Sequence, residues 1–421
     1  MSSAGKVLTA SVLPTEAALK TNFYDKALNL TVLITGLGYF IDTFDFFLYN
    51  SMRTVSLTEL GLSGDALTKA GIIILNSSIL GALIGSFFWG VLGDKIGRKK
   101  PLLASILIYS LFMVFNGCVH DILSYVVIRF IIGFGLAGEV GLGATLVAET
   151  VKSSKRTYAL AFFTMMGVLG VLLAGTSIEF VSWRISCIFG GVLGLLLLTL
   201  RSILFESPAF IESRHNKVKH GSLKDLLGNI HNLKKFASCV PILGCNFFVT
   251  GILLTLSPEI AKALGIVGVV KANIALSIYF SMAAVGDLLG AWLSETFKSR
   301  KIVTAGFIVG NLLVALLLLQ GLKMPNMFYY FLCGTFGLFN LWAMAATVVV
   351  EQYPTELRAT AVTSNFNCSR AMIILMNLAV LALKPLGIIN EIYIIGAIVF
   401  SLSLFCIWRL PESYGHSLTE A

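Results

Sequence analysis

Twelve apolar runs follow one another along the chain, separated by short polar stretches in which Gly, Pro and charged residues collect. They lie near 27–53, 67–93, 101–119, 122–149, 157–181, 183–205, 237–261, 271–295, 302–322, 326–351, 359–383 and 387–408. An α-helix of about 20 apolar residues crosses the hydrocarbon layer of a bilayer. The pattern therefore predicts an all-α integral membrane protein with twelve transmembrane helices. The longest polar stretch carries Arg214, His215, Lys217, Lys219, His220, Lys224, His231, Lys234 and Lys235, and divides the spans into six and six. The expected organisation is a tail over 1–26, a six-helix bundle over 27–205, a linker over 206–236, a second six-helix bundle over 237–410 and a tail over 411–421.

The halves repeat one another. GSFFWGVLGDKIGRKK at 85–100 lies over GDLLGAWLSETFKSRK at 286–301, with Asp94 opposite Glu295. Glu149 and Arg156 in VAETVKSSKR lie over Glu351 and Arg358 in VEQYPTELR, and Glu206-Ser-Pro is echoed by Pro411-Glu-Ser. A repeat of about 200 residues with an even number of spans sets two pseudo-symmetric bundles in parallel, with a site near the midplane between them.

Composition narrows the class. Of 421 residues, 57% are hydrophobic and 13% charged, a balance that excludes a soluble domain. The formal charge of +9 comes from basic residues in the turns, so it points to membrane topology and away from nucleic acid. Lys95–Lys100, Lys152–Arg156, Arg214–Lys235, Lys298–Lys301 and Arg358 all fall on one side of the membrane. The positive-inside rule makes that side the cytoplasm, with both termini there, in a cytoplasmic (inner) cell membrane. Residues 1–26 are too polar for a cleavable signal, so the first span is expected to be retained as an anchor. Cys118, Cys187, Cys239, Cys245, Cys333, Cys368 and Cys406 lie in or beside apolar spans without metal-ligand spacing and are read as packing residues. His120, His215, His220, His231 and His416 fall in loops or tails, and no metal or cofactor is expected.

Acids inside the hydrocarbon cost several kcal/mol unless paired, neutralised or hydrated. Span one reads GLGYFIDTFDFFLYN; Asp42 and Asp45 share a helix face, with Tyr49 one turn further on. Two carboxylates so placed resist joint ionisation, so one is expected to hold a proton near neutral pH, a proton-coupling device. A pair bonded to backbone, water or an arginine merely to hold helices together is the other reading. Span four, RFIIGFGLAGEVGLGATLVAE, sets Glu139 near the depth of Asp42 and Arg129 within reach of Asp45, on a glycine-rich helix suited to close packing. In the second half, Arg370 with Asn365 and Asn367 is able to grip a carboxylate or phosphate; an ion pair between Asp287 and Arg370 explains the same residues equally well. Asn246 and Trp342 lie on spans expected to face the central cavity, and with Tyr49, Arg129, Asn365 and Arg370 they are the candidate substrate-binding residues.

GDKIGRKK after span two resembles the signature of the major facilitator superfamily, and ESPAF, EQYPTELRAT and LPESYG resemble sugar porters and organic-ion transporters. The likeness covers essentially the whole chain. It implies that Asp94, Arg98, Glu149 and Arg358, with the repeat partners Glu295 and Glu351, form ion pairs that lock the halves in one conformation and break in the other. RFIIGFGLAGE and FIDTFDFFLYN resemble metabolite:proton and phosphate:proton symporters, which puts Asp42, Asp45, Glu139 and Arg129 on those families' functional positions. Ala137 and Val140 depart from that pattern, so the substrate does not transfer.

The reading is a secondary active transporter, not an enzyme: a proton-coupled, alternating-access importer of a small polar metabolite, an organic acid or similar anion. Its expected partners are the solute, protons and the bilayer, and its expected state a monomer. A sugar porter, an exporter by proton antiport and a membrane sensor or scaffold are the alternatives. Span five has the glycines of an exporter motif but no proline, which favours import.

Overall fold

The computed structural model describes residues 16–215, 223–320 and 323–415. Apart from one isolated bridge between Val267 and Pro325, the regular elements among them are helices. The first half comprises α1 (Glu16–Glu59), α2 (Gly64–Ile96), α3 (Lys99–Asn116), α4 (Ile122–Thr150), α5 (Ser153–Phe180) and α6 (Trp183–Arg201). Two short helices, α7 (Pro208–His215) and α8 (Leu223–Leu227), belong to the connection. The second half comprises α9 (Ile230–Phe248), α10 (Ser257–Ala263), α11 (Ala272–Phe297), α12 (Arg300–Leu319), α13 (Asn326–Leu338), α14 (Trp342–Glu351), α15 (Thr355–Leu383) and α16 (Ile388–Arg409). Among the described residues, twelve stretches are long and apolar enough to cross a membrane. Their outward faces carry exposed Leu123, Leu196, Trp292, Leu313, Phe331 and Trp408, side chains that only lipid would cover.

Helix starts and stops follow local chemistry. Asp121 caps α4 by accepting from the Ser124 N–H at 2.9 Å, and Ser299 caps α12 through Ile302 at 3.1 Å. The turn after α2 uses Gly97 at φ 97°, and Lys298 takes a left-handed φ of 51° at the corresponding turn after α11. The repeat has kept the turn while losing the glycine that makes it easy.

The halves meet along α2, α4 and α5 on one side and α11, α14 and α15 on the other. A Cβ at Gly90 would lie 2.6 Å from the Thr360 Cα, so bare glycine backbone lets α2 and α15 touch.

Three expected elements differ. The stretch assigned to the N-terminal tail is already helical from Glu16, while residues 1–15 lie outside the described residues, as do Lys217, Lys219, His220 and His416. Span seven is not one helix through 261: α9 ends in a π-helical turn, Val249–Leu253, before α10. Span ten breaks at Phe339–Leu341 into α13 and α14. Side chains there replace the lost helical bonds: Asn311 donates to the Phe339 carbonyl at 2.8 Å, and the Ala343 N–H donates to Asp287 at 3.1 Å. Cys118 is exposed rather than packed.

Candidate functional site

Between the halves lies a cavity of about 550 Å³. Phe46, Phe47, Phe247, Phe280, Tyr39 and Trp342 make much of its wall, and Arg53, Asp287 and Arg370 are the charged residues lining it. The lining reaches Arg53, Ile72 and Ala272, toward the end of the bundle opposite the linker. Trp342, the first residue of α14, stacks on Phe366 at 5.5 Å and meets Phe247 edge-on at 5.4 Å, forming an aromatic floor.

Arg370 is one of two cations of this chamber; Arg53 is the other, toward the end opposite the linker. The Arg370 guanidinium lies over the Phe46 ring at 4.9 Å and 3.9 Å from Asp42 Oδ2. That separation is too long for a hydrogen bond, and neither oxygen of the fully buried Asp42 has a hydrogen-bond partner. The pair bridges the halves, α1 to α15, and leaves the donors of Arg370 available to an anion in the cavity.

The other intramembrane acids have separate partners. Asp45 accepts from Arg129 at 2.9 Å, and Arg129 lies over the Tyr49 ring at 4.7 Å. The Tyr49 hydroxyl donates to the Gly71 carbonyl at 3.0 Å. Glu139 accepts from Arg201 at 2.7 Å and faces Ser105 at 3.4 Å. Tyr49 and Arg129, expected to bind substrate, therefore sit inside the first half behind the cavity wall. Asn246 accepts from Tyr279 at 2.8 Å, and Asn365 is buried against the Phe236 carbonyl at 3.5 Å; neither lines the cavity. Asn367 bonds its own helix at Thr363. Of the residues expected at the substrate, Arg370 and Trp342 do line it.

The expected Asp287–Arg370 ion pair is absent among the described residues. Asp287 lies against Thr164 at 2.6 Å and the Ala343 N–H at 3.1 Å, because the break in span ten offers it a helix N-terminus while Arg370 turns to Asp42.

At the linker end the halves are bonded shut. Arg358 donates to Glu149 at 2.7 Å, and Arg156 donates to Glu351 at 2.5 Å, each across the interface. Asp94 accepts from the N–H groups of Ala359 and Thr360 at 3.0 and 2.9 Å and from the Thr360 hydroxyl at 2.6 Å. Within the first half, Arg98 forks onto Glu149 with both bonds at 3.0 Å, and its own charge is favoured: burial opposes it, but Glu149 and Asp94 outweigh burial. Within the second half, Arg300 reaches Glu351 at 3.4 Å and Glu295 at 2.9 Å. Glu206 and Glu412 close the repeat by accepting the N–H groups that open α3 and α12. Burial works against the Glu412 charge, yet the Ser299 hydroxyl and those backbone donors hold its carboxyl below the usual glutamate range.

Glu295 does not cross the interface as Asp94 does; it bonds Arg300 and the Tyr414 hydroxyl in its own half. Arg156, Arg300 and Arg201 were not singled out from the sequence as site residues. Arg201 had a visible signal, a lone arginine in the apolar run LLLLTLRSIL.

A family model described as Major Facilitator Superfamily matches residues 35–377. The sialic acid transporter NanX of Escherichia coli is 25% identical over 76% of this chain and 79% of its own length. The gentisate transporter of Corynebacterium glutamicum is 24% identical over 91% of this chain and 88% of its own. The structure of the proton:xylose symporter XylE superposes with a TM-score of 0.74 at 16% identity, covering 94% of this chain and 98% of that one.

Proposed function

The chain belongs to the major facilitator superfamily and is a multi-pass membrane carrier of metabolites rather than an enzyme, and from that premise we propose that it imports a small organic anion together with protons. The carrying observation is Arg370, held in the cavity between the halves with Asp42 at 3.9 Å and no other ion-pair partner among the described residues. An anionic substrate and an ionised Asp42 compete for one guanidinium. A proton on Asp42 removes the competitor, so proton and anion favour the same loaded state, which is what coupling requires. Asp45 and Glu139 have their own arginines and hold the geometry of α1, α4 and α6, so the proton role centres on Asp42.

Aromatic walls suit a substrate with a flat or apolar body and one carboxylate; a neutral sugar would leave Arg370 unanswered. Two relatives are named for acids, sialic acid and gentisate, which agrees with this class. The bonded linker end and the cavity reaching the opposite end correspond to an outward-open state. Import then requires breaking the Glu149–Arg358 and Glu351–Arg156 bonds while the opposite end closes. Basic residues such as Lys95, Lys99 and Lys155 mark the linker end as cytoplasmic, with both termini there, in the cytoplasmic (inner) membrane. The cavity is built within one chain, so the monomer is the working unit.

The test is a thermal-shift screen of small carboxylates, phosphate, sugars and amino acids at acid and alkaline pH. A carboxylate whose stabilisation grows with acidity and vanishes in Arg370→Ala supports the proposal. Stabilisation by a neutral sugar that persists in Arg370→Ala contradicts it.

A further inference from the structure

Asp287 is a buried carboxyl that the coupling scheme above does not use. It lines the cavity, is fully buried, and has no Lys, Arg or His within ion-pair distance among the described residues. Its Oδ1 accepts from the Ala343 N–H at 3.1 Å, at the start of α14. Its Oδ2 lies 2.6 Å from Thr164 Oγ1 on α5, across the interface between the halves.

The Thr164 hydroxyl has one hydrogen and two acceptors: Asp287 Oδ2 at 2.6 Å and the Ala161 carbonyl at 2.9 Å. A neutral carboxyl gives each contact its own hydrogen, Thr164 donating to Ala161 and the carboxyl to Thr164, whereas an ionised one makes the single Thr164 hydrogen serve both. The charged alternative leaves a buried anion with one N–H, one hydroxyl, the Asn340 side chain and no cation, where desolvation is the dominant cost. The groups facing Asp287 bring no cation into contact with it. They are Tyr39 on α1, Tyr279 on its own helix and Asn340 in the break of span ten, with Arg370 in the same cavity but turned to Asp42.

We propose that Asp287 is a second proton-binding site, neutral in the conformation seen here, and that its proton fastens α5 to α11 and, through the Ala343 N–H that Asp287 also accepts, to α14. Helices α5 and α14 are joined again at the linker end by Arg156 and Glu351. Arg156 to Thr164 and Ala343 to Glu351 are both eight-residue steps, each rising about 12 Å, so the two contacts form matched rungs. Between them the fully buried Ala161, Ala291 and Ala343 bring the backbones together. Loss of the Asp287 proton to cavity water leaves an unpaired carboxylate at the upper rung and loosens the seam that the lock depends on. This inference rests on the alternating-access reading, but its proton is distinct from the one assigned to Asp42.

The experiment is infrared difference spectroscopy of the purified full chain, wild type against Asp287→Asn, at neutral and alkaline pH. The expected result is one neutral-carboxyl C=O band at neutral pH, absent in Asp287→Asn, retained in Asp42→Asn, and replaced by carboxylate bands as the pH rises. Hydrogen exchange should report the same event. Amides of α14 and of the facing part of α5 lose protection at alkaline pH in the wild type and keep it in Asp287→Asn. Thr164→Val gives a further test should Asp287→Asn fail to fold, because removing the hydroxyl that accepts the proton shifts the band to higher frequency. Carboxylate bands alone at neutral pH, or a band that Thr164→Val leaves unmoved, would overturn the assignment. Its failure leaves the Asp42 scheme standing, since the Asp42→Asn spectrum and transport are read separately.

Discussion

Arg358 of the second half donates to Glu149 of the first at 2.7 Å, and both side chains are fully buried. The bond has a repeat-related mate between Arg156 and Glu351, so the lock is a pseudo-symmetric exchange of one arginine from each half. Each arginine also occupies a glutamate that a same-half arginine holds, Arg98 for Glu149 and Arg300 for Glu351.

Removing one member of this lock leaves buried charge on the other side. Glu149→Gln is expected to shift the population toward an open linker end, by an amount comparable to the about 3–5 kcal/mol cost of breaking a buried pair. Distances between spin labels on the linker-end tips of the two halves should lengthen; an unchanged distribution would show that the lock carries little of the bias.

Gly141 of α4 packs against Thr363 of α15 so closely that a Cβ would fall on the threonine. Gly141→Leu therefore wedges the halves apart at the linker side. The expected outcome is greater reactivity of introduced linker-side cysteines with a water-soluble maleimide, while Gly306→Ala, which faces open space, leaves it unchanged.

The Arg201–Glu139 pair joins α6 to α4 away from the interface, and Gly38 of α1 packs against the same guanidinium. Arg201→Leu leaves Glu139 buried without its cation and is expected to cost about 3–5 kcal/mol. Adding Glu139→Gln should recover part of the loss, which a double-mutant cycle of thermal unfolding measures. An additive double mutant would mean that the pair is not coupled.

These partners mark the boundary of what the sequence made legible. The twelve spans, the repeat and the acids of spans one and four were readable because each is a local departure from apolar pattern. Pairing was not, because it depends on which helix faces which: Arg201 lies 62 residues from Glu139, and Arg156 lies 195 from Glu351. The spacing of Asn365 to Arg370 suggests that the two grip one anion, yet α15 turns Asn365 toward Phe236. The break in span ten left no proline or glycine at Phe339–Leu341 to announce it; it is held by Asn311 and Asp287 from other helices.

Glu59, at the end of α1 opposite the linker, accepts from the Trp183 indole at 2.6 Å and from Arg184 at 2.9 Å. These two bonds, Trp183 first, hold its carboxyl below the usual glutamate range. A lowered value means that the stabilisation is present above the ordinary glutamate pKa and is lost as the pH falls through the folded one. Acid unfolding of Glu59→Gln should lack that contribution, so its midpoint temperature changes less than the wild type's between about pH 6 and about pH 3. Equal pH dependence in the two proteins would remove Glu59 from the account.

The most direct measurement is uptake of labelled small carboxylates into proteoliposomes carrying wild type, Asp42→Asn or Arg370→Ala, with and without an inward proton gradient. The account predicts gradient-driven accumulation in the wild type, exchange without accumulation in Asp42→Asn, and neither in Arg370→Ala. Gradient-driven accumulation by Asp42→Asn at the wild-type level would contradict it.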